Sequence, residues 1–283
     1  MKSFKNKVAV ITGAASGIGF GLAEKCLKEE MKVVLADVES SKLKEAEDLL
    51  LKHGEQILTI KTDVSKLSDI ENLAKKTFNN FSEVHLLFNN AGIGIAGPSS
   101  WEYSLKDWQW VLGVNLWSVI YGINVFLPLM LKQYSEGHII NTASASGLLS
   151  MPSMAPYNVS KHSIVTLSET MYSELKNLKA NVNVSVLCPG LVNTNIMSAE
   201  RNRPEQLQND TNLTLQREKK HGKFITAMEH GIKKGLTIEQ IAETVFEAIK
   251  KERFYIIPHD WTKEQIKERM KSIITGTNPF DSY

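Results

Sequence analysis

The stretch KVAVITGAASGIG, residues 7–19, sets the architecture of this chain. Its first part, KVAVIT, is an apolar run rich in β-branched side chains, which is typical of a buried strand. Glycines follow at once, and a helical pattern begins behind them. A second apolar run, KVVLAD at residues 32–37, comes after that pattern. The chain is therefore predicted to open with a strand, a helix and a second strand.

Five further apolar runs are candidate strands, and helical patterns lie between most of them. Such alternation indicates a parallel sheet with helices on both faces, so the predicted fold class is α/β, a doubly wound Rossmann fold of about seven strands in a single domain. The later strand candidates are residues 56–63, 84–90, 137–144, 182–189 and 253–259, and the helix candidates are residues 17–30, 40–53, 67–80, 105–133, 157–178 and 237–251.

Charge and cysteine content exclude several classes of function. The net charge is +2 with scattered lysines, so neither a nucleic-acid footprint nor a polybasic membrane patch is expected. Two cysteines, Cys26 and Cys188, are too few for a disulfide framework or a cysteine zinc site, and the seven histidines show no ligand-like spacing. We expect a cytoplasmic protein with reduced thiols and no metal.

One apolar segment raises the question of a membrane. Residues 110–131 contain no charged side chain over 22 positions, which is long enough to span a bilayer. Asn115 and Pro128 interrupt the segment. A helix covered by the sheet on one side and by a partner subunit on the other is expected, and a membrane span is the alternative.

The glycine-rich turn has the features of a dinucleotide site. Gly13 allows a tight turn, Gly17 allows the backbone to approach a pyrophosphate, and Gly19 permits close packing of the helix. Asp37 ends the second strand, where an acid is expected to meet the adenosine ribose, although it could also be an ordinary turn residue. Its carboxylate would repel a 2′-phosphate, and no Arg or Lys lies in residues 13–18 or directly after Asp37. NAD is therefore expected rather than NADP.

Tyr157 and Lys161 stand four residues apart at the head of a helical pattern, so their side chains share one face. A nearby cation favours phenolate and lowers a tyrosine pKa from about 10 toward neutrality. Such a pair can exchange a proton with an alcohol. The spacing alone is common on exposed helices, so other motifs must support this interpretation.

Those motifs occur in order along the chain: TGAASGIG (12–19), NNAG (89–92), Ser144 thirteen residues before Tyr157, and YNVSK (157–161), with Asn115 and PGLVNT (189–194). Together they closely resemble the short-chain dehydrogenase/reductase family over about residues 5–258. The resemblance implies an NAD(P)-dependent oxidoreductase that interconverts a secondary alcohol and a ketone.

The resemblance also implies a role for each of four residues. Tyr157 would be the general acid/base, and Lys161 would lower its pKa and hold the nicotinamide ribose. Ser144 would hydrogen-bond the substrate oxygen. Asn115 would hold a water that relays protons from Lys161, although an asparagine in an apolar helix usually satisfies a backbone group.

By the same resemblance, a larger set would contact NAD. Asp63 and Asn90 follow strands, so either could merely terminate its strand. The implied cofactor contacts are Gly13, Ser16, Gly17, Ile18, Gly19, Asp37, Asp63, Val64, Asn90, Ala91, Gly92, Tyr157, Lys161, Val192 and Thr194.

Loops after the fourth, fifth and sixth strands are expected to line a substrate pocket. Their mostly apolar side chains favour a bulky hydrophobic alcohol or ketone over a sugar, unless they simply complete the core. The expected lining comprises Ile95, Trp101, Leu148, Leu149, Met151, Met154 and Met197.

The predicted organisation is a catalytic domain at residues 1–261 with a polar lid at 198–234, and a C-terminal helix and tail at 262–283. A homodimer or homotetramer built on helices 105–133 and 157–178 is expected by resemblance. A non-catalytic NAD-binding sensor is the main alternative. A nucleotide-sugar epimerase is a weaker one, because the C-terminal region is short.

Overall fold

The computed structural model describes residues 1–279, apart from the side chain of Glu218. Within this range seven strands form one parallel sheet in the order β3-β2-β1-β4-β5-β6-β7, so the predicted fold class is confirmed. The strands are β1 (Val8–Thr12), β2 (Lys32–Asp37), β3 (Ile57–Lys61), β4 (Leu86–Asn89), β5 (Gly137–Thr142), β6 (Val182–Leu187) and β7 (Tyr255–Ile256).

Helices cover both faces of the sheet. One core cluster joins the sheet to α1 and α8 through side chains such as Leu22 and Val245, and the other joins it to α3, α5 and α6 through Ile70, Phe126 and Met171. The helices are α1 (Gly17–Lys28), α2 (Ser40–Leu50), α3 (Leu67–Phe81), α4 (Leu105–Leu112), α5 (Ser118–Met130), α6 (Ala155–Asn177), α7 (Thr211–Lys233), α8 (Ile238–Lys250) and α9 (Asp260–Thr275).

The strand order reverses between β1 and β4, which are neighbours although two strands separate them in sequence. The connections that follow β1 and β4 run in opposite directions, so a crevice opens at the carboxyl ends of these two strands. Every residue of β1, β4 and β5 is buried, which explains the apolar runs VAVI in β1 and LLF in β4. The predicted functional residues follow these strands.

Two elements differ from the sequence prediction. The helix predicted at residues 105–133 contains a π-helical turn at Gly113–Trp117 between α4 and α5. The polar segment predicted only as a lid contains the 23-residue helix α7, whose weak apolar pattern gave no signal. The predicted C-terminal helix is present as α9, whereas residues 280–283 of the predicted tail lie outside the described residues.

Among the described residues, Leu105–Met130 is the one helical stretch long and apolar enough to cross a membrane by length and composition. A core helix of a globular protein meets the same criterion. Val119 and Phe126 of this stretch are buried, and Phe126 packs in the cluster beneath the sheet. This packing supports the predicted core helix.

A chain of polar side chains crosses the middle of the molecule. Asn89 Nδ2 donates to Asn141 Oδ1 at 2.9 Å, and Asn141 Nδ2 donates to Ser168 Oγ at 3.0 Å. All three side chains are buried, so each hydrogen bond satisfies a group that water does not reach. Gly122 of α5 passes so close that a Cβ there would lie 2.2 Å from Asn89 Oδ1.

We expect Gly122→Ala to lower the free energy of unfolding by about 1–3 kcal/mol, because the added methyl group would push Asn89 away from its hydrogen bond with Asn141. Urea denaturation followed by circular dichroism measures the change. Gly222→Ala in α7 is the matched control, since its Cβ would meet nothing within 4 Å and the change should stabilise by up to about 1 kcal/mol. Equal effects of the two variants would contradict the prediction.

Candidate active site

A cavity of about 380 Å³ lies at the carboxyl ends of the strands, within the size range of small-molecule sites. It brings together most of the predicted site residues. Gly19 and Asn115 lie behind its wall. The predicted residues that line it are Gly13, Ser16, Gly17, Ile18, Asp37, Asp63, Val64, Asn90, Ala91, Gly92, Ser144, Tyr157, Lys161, Val192 and Thr194.

The glycine turn forms a bare backbone cradle at the start of α1. Gly13 and Gly17 have φ angles of +68° and +56°, a region that L side chains rarely adopt. A Cβ on Gly19 would lie 2.1 Å from the Gly13 carbonyl oxygen, so the helix can approach the turn only without one. Free N–H groups at a helix N-terminus attract phosphate, so this cradle fits the pyrophosphate of a dinucleotide.

Asp37 is held in place by two backbone N–H groups at the edge of the cavity. Ala15 N donates to Asp37 Oδ2, and Glu39 N donates to Asp37 Oδ1, both at 3.1 Å. Burial raises the pKa of Asp37, and these hydrogen bonds oppose the rise. The carboxylate therefore has a fixed position beside the glycine turn.

The ends of β1 and β4 are tied together by Thr12. Its Oγ1 accepts from the N–H groups of Asn90 and Ala91 at 2.9 and 3.0 Å. Asn90 Nδ2 donates back to the Thr12 carbonyl oxygen at 3.0 Å. Asn90 therefore joins the ends of the two strands and lines the cavity, a role beyond terminating β4.

Tyr157, Ser144 and Lys161 meet in one wall of the cavity. Tyr157 and Lys161 lie one turn apart near the start of α6, and the Lys161 Nζ atom lies 5.6 Å from the centroid of the Tyr157 ring. Lys161 Nζ donates to the Thr142 carbonyl oxygen at 2.9 Å. Ser144 follows β5, and its Oγ accepts from Ser146 N at 3.1 Å.

The expected lowering of the Tyr157 pKa is wrong. Burial raises the pKa of Tyr157, and a hydrogen bond with the Ser144 side chain offsets only part of the rise. Burial also lowers the pKa of Lys161 to about 8. Both side chains are almost fully buried, so removal from water is the largest influence on both pKa values.

Asn115 lies in the π-helical turn and binds the loop after β4. Its Oδ1 accepts from Ile93 N at 2.8 Å, and its Nδ2 donates to the Ile93 carbonyl oxygen at 3.0 Å. The same Nδ2 lies 3.2 Å from Ser160 Oγ, which donates to the Tyr157 carbonyl oxygen. The side chain thus satisfies backbone groups, the alternative considered for it, and connects this loop to α6. A water relay through Asn115 stays a prediction.

Residues 7–205 match the family described as short chain dehydrogenase. The chain belongs to the short-chain dehydrogenase family. The crystal structure of a short-chain dehydrogenase/reductase from Burkholderia phymatum in complex with NAD is 43% identical, with a TM-score of 0.95 over 100% of this chain and 99% of that one.

Two curated relatives are similar over nearly the whole chain. A CLA biosynthesis dehydrogenase/reductase from Lactiplantibacillus plantarum is 34% identical over 99% of this chain and 97% of its own length. A C alpha-dehydrogenase from a Sphingobium species is 30% identical over 100% of this chain and 90% of its own length. The resemblance stated from the motifs is confirmed, and this short-chain dehydrogenase is an enzyme of an oxidoreductase family.

The segment predicted as a lid, residues 198–234, is anchored by a buried cluster of charges that the sequence did not reveal. Asp107, at the start of α4, accepts from Arg203 Nη2 at 2.7 Å, Asn209 Nδ2 at 2.8 Å and Arg217 Nη1 at 2.9 Å. Burial favours a higher pKa for Asp107, but the hydrogen bonds from Arg203 and Asn209 bring it below its ordinary value. All three partners are about a hundred residues from Asp107 in sequence, so no local pattern connects them to it.

The substrate side of the cavity is only partly as predicted. Met151, Met154 and Met197 line it, whereas Ile95, Trp101, Leu148 and Leu149 do not. Trp101 is 85% exposed because its loop turns outward, and Leu148 packs on the core cluster beside β6. The lining residues that the sequence did not suggest include Ile196, Met228, Ile232 and Trp261.

The C-terminal region contributes to this wall. His259 Nδ1 accepts from Gly190 N at 3.0 Å, and His259 Nε2 lies 3.0 Å from the Leu191 carbonyl oxygen. These contacts hold the loop after β6 and place Trp261, at the start of α9, against Gly190. Helix α9 therefore lies at the edge of the pocket through Trp261.

We expect the Lys161→Met variant to have a higher free energy of unfolding than the native chain, and this difference should be largest below about pH 8. The lysine binds its proton up to its ordinary pKa of 10.5 when unfolded but only to about 8 when folded. The unfolded native chain therefore binds more protons between these values, so native stability rises with pH there and the gap to the variant closes.

Urea denaturation at several pH values measures that gap. Lys267→Met in α9 is the control, because Lys267 is an exposed lysine whose loss changes the net charge equally. Parallel pH profiles for Lys161→Met and the native chain would contradict the prediction.

Proposed function

We propose that this short-chain dehydrogenase transfers hydride between NAD and a secondary alcohol or ketone with a hydrophobic body. The observation that carries the proposal is the meeting of Tyr157, Ser144 and Lys161 in the wall of a cavity that also contains the glycine turn and Asp37. A protein that only binds NAD would need the glycine turn and Asp37 but not Tyr157, Ser144 and Lys161 together. No observation favours the non-catalytic sensor.

NAD, when bound, supplies the hydride acceptor for oxidation and, once reduced, the donor for reduction. In the proposed reaction Tyr157 removes the alcohol proton, or returns it to a carbonyl oxygen. Ser144, which lines the same wall of the cavity as Tyr157, holds the substrate oxygen beside it. Lys161 retains its positive charge below pH about 8 and stabilises the phenolate.

The proposed preference for NAD rests on Asp37. Two backbone N–H groups fix its carboxylate at the ribose end of the cleft, where it can accept bonds from both ribose hydroxyls. A 2′-phosphate at that position would meet a negative charge. The Burkholderia relative is an NAD complex, which supports the same choice.

The proposed substrate class follows from the side chains that pack around Tyr157. Met154 forms a buried cluster with Tyr157, against which Met151, Met197 and Met228 pack. Thioether side chains adapt their shape and offer no strong hydrogen bonds. A hydrophobic alcohol or ketone fits this wall better than a polyol, whose hydroxyls would lose their water.

We also propose a cytoplasmic homodimer or homotetramer. Trp117, between α4 and α5, and Val159 and Tyr172 of α6 are 48%, 46% and 42% exposed, which is typical of a surface that a second subunit covers. Cys26 and Cys188 are free and buried, as in a reducing compartment. The lid at residues 198–234 is proposed to order further on substrate binding.

Tyr157→Phe should reduce kcat by about 10²–10⁴-fold, because it removes only the proton donor and acceptor. NADH formation from a secondary alcohol measures the rate, and NADH binding should stay within about threefold of the native value. Tyr255→Phe is the control, since it removes an exposed hydroxyl bound to Glu169. A Tyr157→Phe enzyme with native kcat would disprove this role.

A panel of aliphatic, aromatic and steroid alcohols should give a kcat/KM at least about tenfold above that of polyols. Met197→Gln should narrow this preference by placing an amide in the wall, whereas Met270→Gln on α9, which does not line the cavity, should not. A native preference for polyols would rule out the proposed substrate class.

A further inference from the structure

An ion pair closes the ribose end of the cavity. Arg201 Nη2 donates to Glu39 Oε1 at 2.6 Å, and Arg201 Nε donates to Glu39 Oε2 at 3.2 Å. Asn202 Nδ2 also donates to Glu39 Oε1, at 2.9 Å. Both carboxylate oxygens and two of the guanidinium nitrogens are therefore engaged with each other. Asp37 lines the cavity with all three residues.

Both members of the pair are anchored relative to Asp37. Glu39 precedes α2, and its own N–H holds the Asp37 carboxylate. Arg201 belongs to a short 3₁₀ segment, Ile196–Asn202, whose first residue accepts from Gly94 N at 3.3 Å. The next residue, Arg203, is fixed on Asp107. The guanidinium of Arg201 therefore lies next to Glu39 in the part of the cavity that Asp37 lines, where the proposed site would receive the 2′-phosphate of NADP.

The charge of Glu39 decides what this guanidinium can do. Arginine recognises phosphate through a bidentate fork, the geometry that Glu39 now occupies. The hydrogen bond from Arg201 lowers the pKa of Glu39 below its ordinary value, so Glu39 is ionised at neutral pH. A 2′-phosphate would have to displace this carboxylate and also face Asp37.

We propose that Glu39 is a second determinant of cofactor choice, which excludes the 2′-phosphate by keeping Arg201 paired; this rests on the proposed dinucleotide site. Asp37 acts on the ribose directly. Glu39 acts by withholding a cation that the lid already supplies. Without the charge of Glu39, Arg201 becomes a ligand for the 2′-phosphate.

Equilibrium binding of NADH and NADPH, followed by cofactor fluorescence, tests this without turnover. We compare Glu39→Gln, Arg201→Ala and the double variant, each in the native chain and in an Asp37→Ala background that removes the direct repulsion. Glu39→Gln should tighten NADPH binding by about tenfold, at least in the Asp37→Ala background, and change NADH binding by less than about threefold. The double variant should lose this gain.

Glu247→Gln is the matched control. It removes a carboxylate of α8 from an ion pair with Lys251, and neither residue lines the cavity. A gain in NADPH affinity that persists without Arg201, or no gain in either background, would overturn the proposal. A native chain that binds neither dinucleotide would overturn the cofactor site as well. NADH binding without turnover would contradict the proposed reaction alone, since the ratio of the two affinities does not depend on catalysis.

Discussion

A continuous line of hydrogen bonds at the carboxyl ends of three strands holds the site together. Thr12 accepts the N–H groups of Asn90 and Ala91, Thr142 donates to Asn90 Oδ1, and Lys161 donates to the Thr142 carbonyl oxygen. Because β1, β4 and β5 are parallel, their carboxyl ends lie at the same edge of the sheet, which brings these groups within hydrogen-bond distance. The glycine turn and Lys161 are thereby set at fixed positions, although they are more than a hundred residues apart in sequence.

The sequence predicted the parts of this arrangement that local physics determines. The run at residues 7–19 was predicted as a strand entering a helix, because β-branched apolar residues favour a strand and the glycines after them precede a helical pattern. The seven strands follow from the same alternation. Tyr157 and Lys161 share a helix face by spacing alone, whereas Ser144 was placed with them by the resemblance to the family. The structure confirms the fold and brings these three side chains together, while their catalytic roles stay proposals.

Contacts between residues far apart in sequence, and properties that depend on exposure to water, could not be predicted from local sequence patterns. The pairs Arg203–Asp107 and Arg201–Glu39 join charged residues that look like ordinary surface positions in sequence. Trp101 was expected in the pocket because its loop follows β4, but loop direction is set by tertiary contacts and the ring faces solvent. The pKa of Tyr157 was misjudged for a related reason. Spacing shows that a cation is near, but not how much water both groups lose.

That loss of water acts on Tyr157 and Lys161 in two ways. Burial makes either charge alone expensive, so the pKa of the phenol is raised and that of the ammonium falls to about 8. The same low dielectric strengthens the attraction between a phenolate and an ammonium once both exist. For a tyrosine on the surface, ionisation would cost less free energy, and the attraction of the phenolate to a nearby ammonium would also be weaker. In the proposed reaction, the ionised pair is therefore unfavourable at rest and most strongly coupled when the proton is transferred, which is where a general base must act.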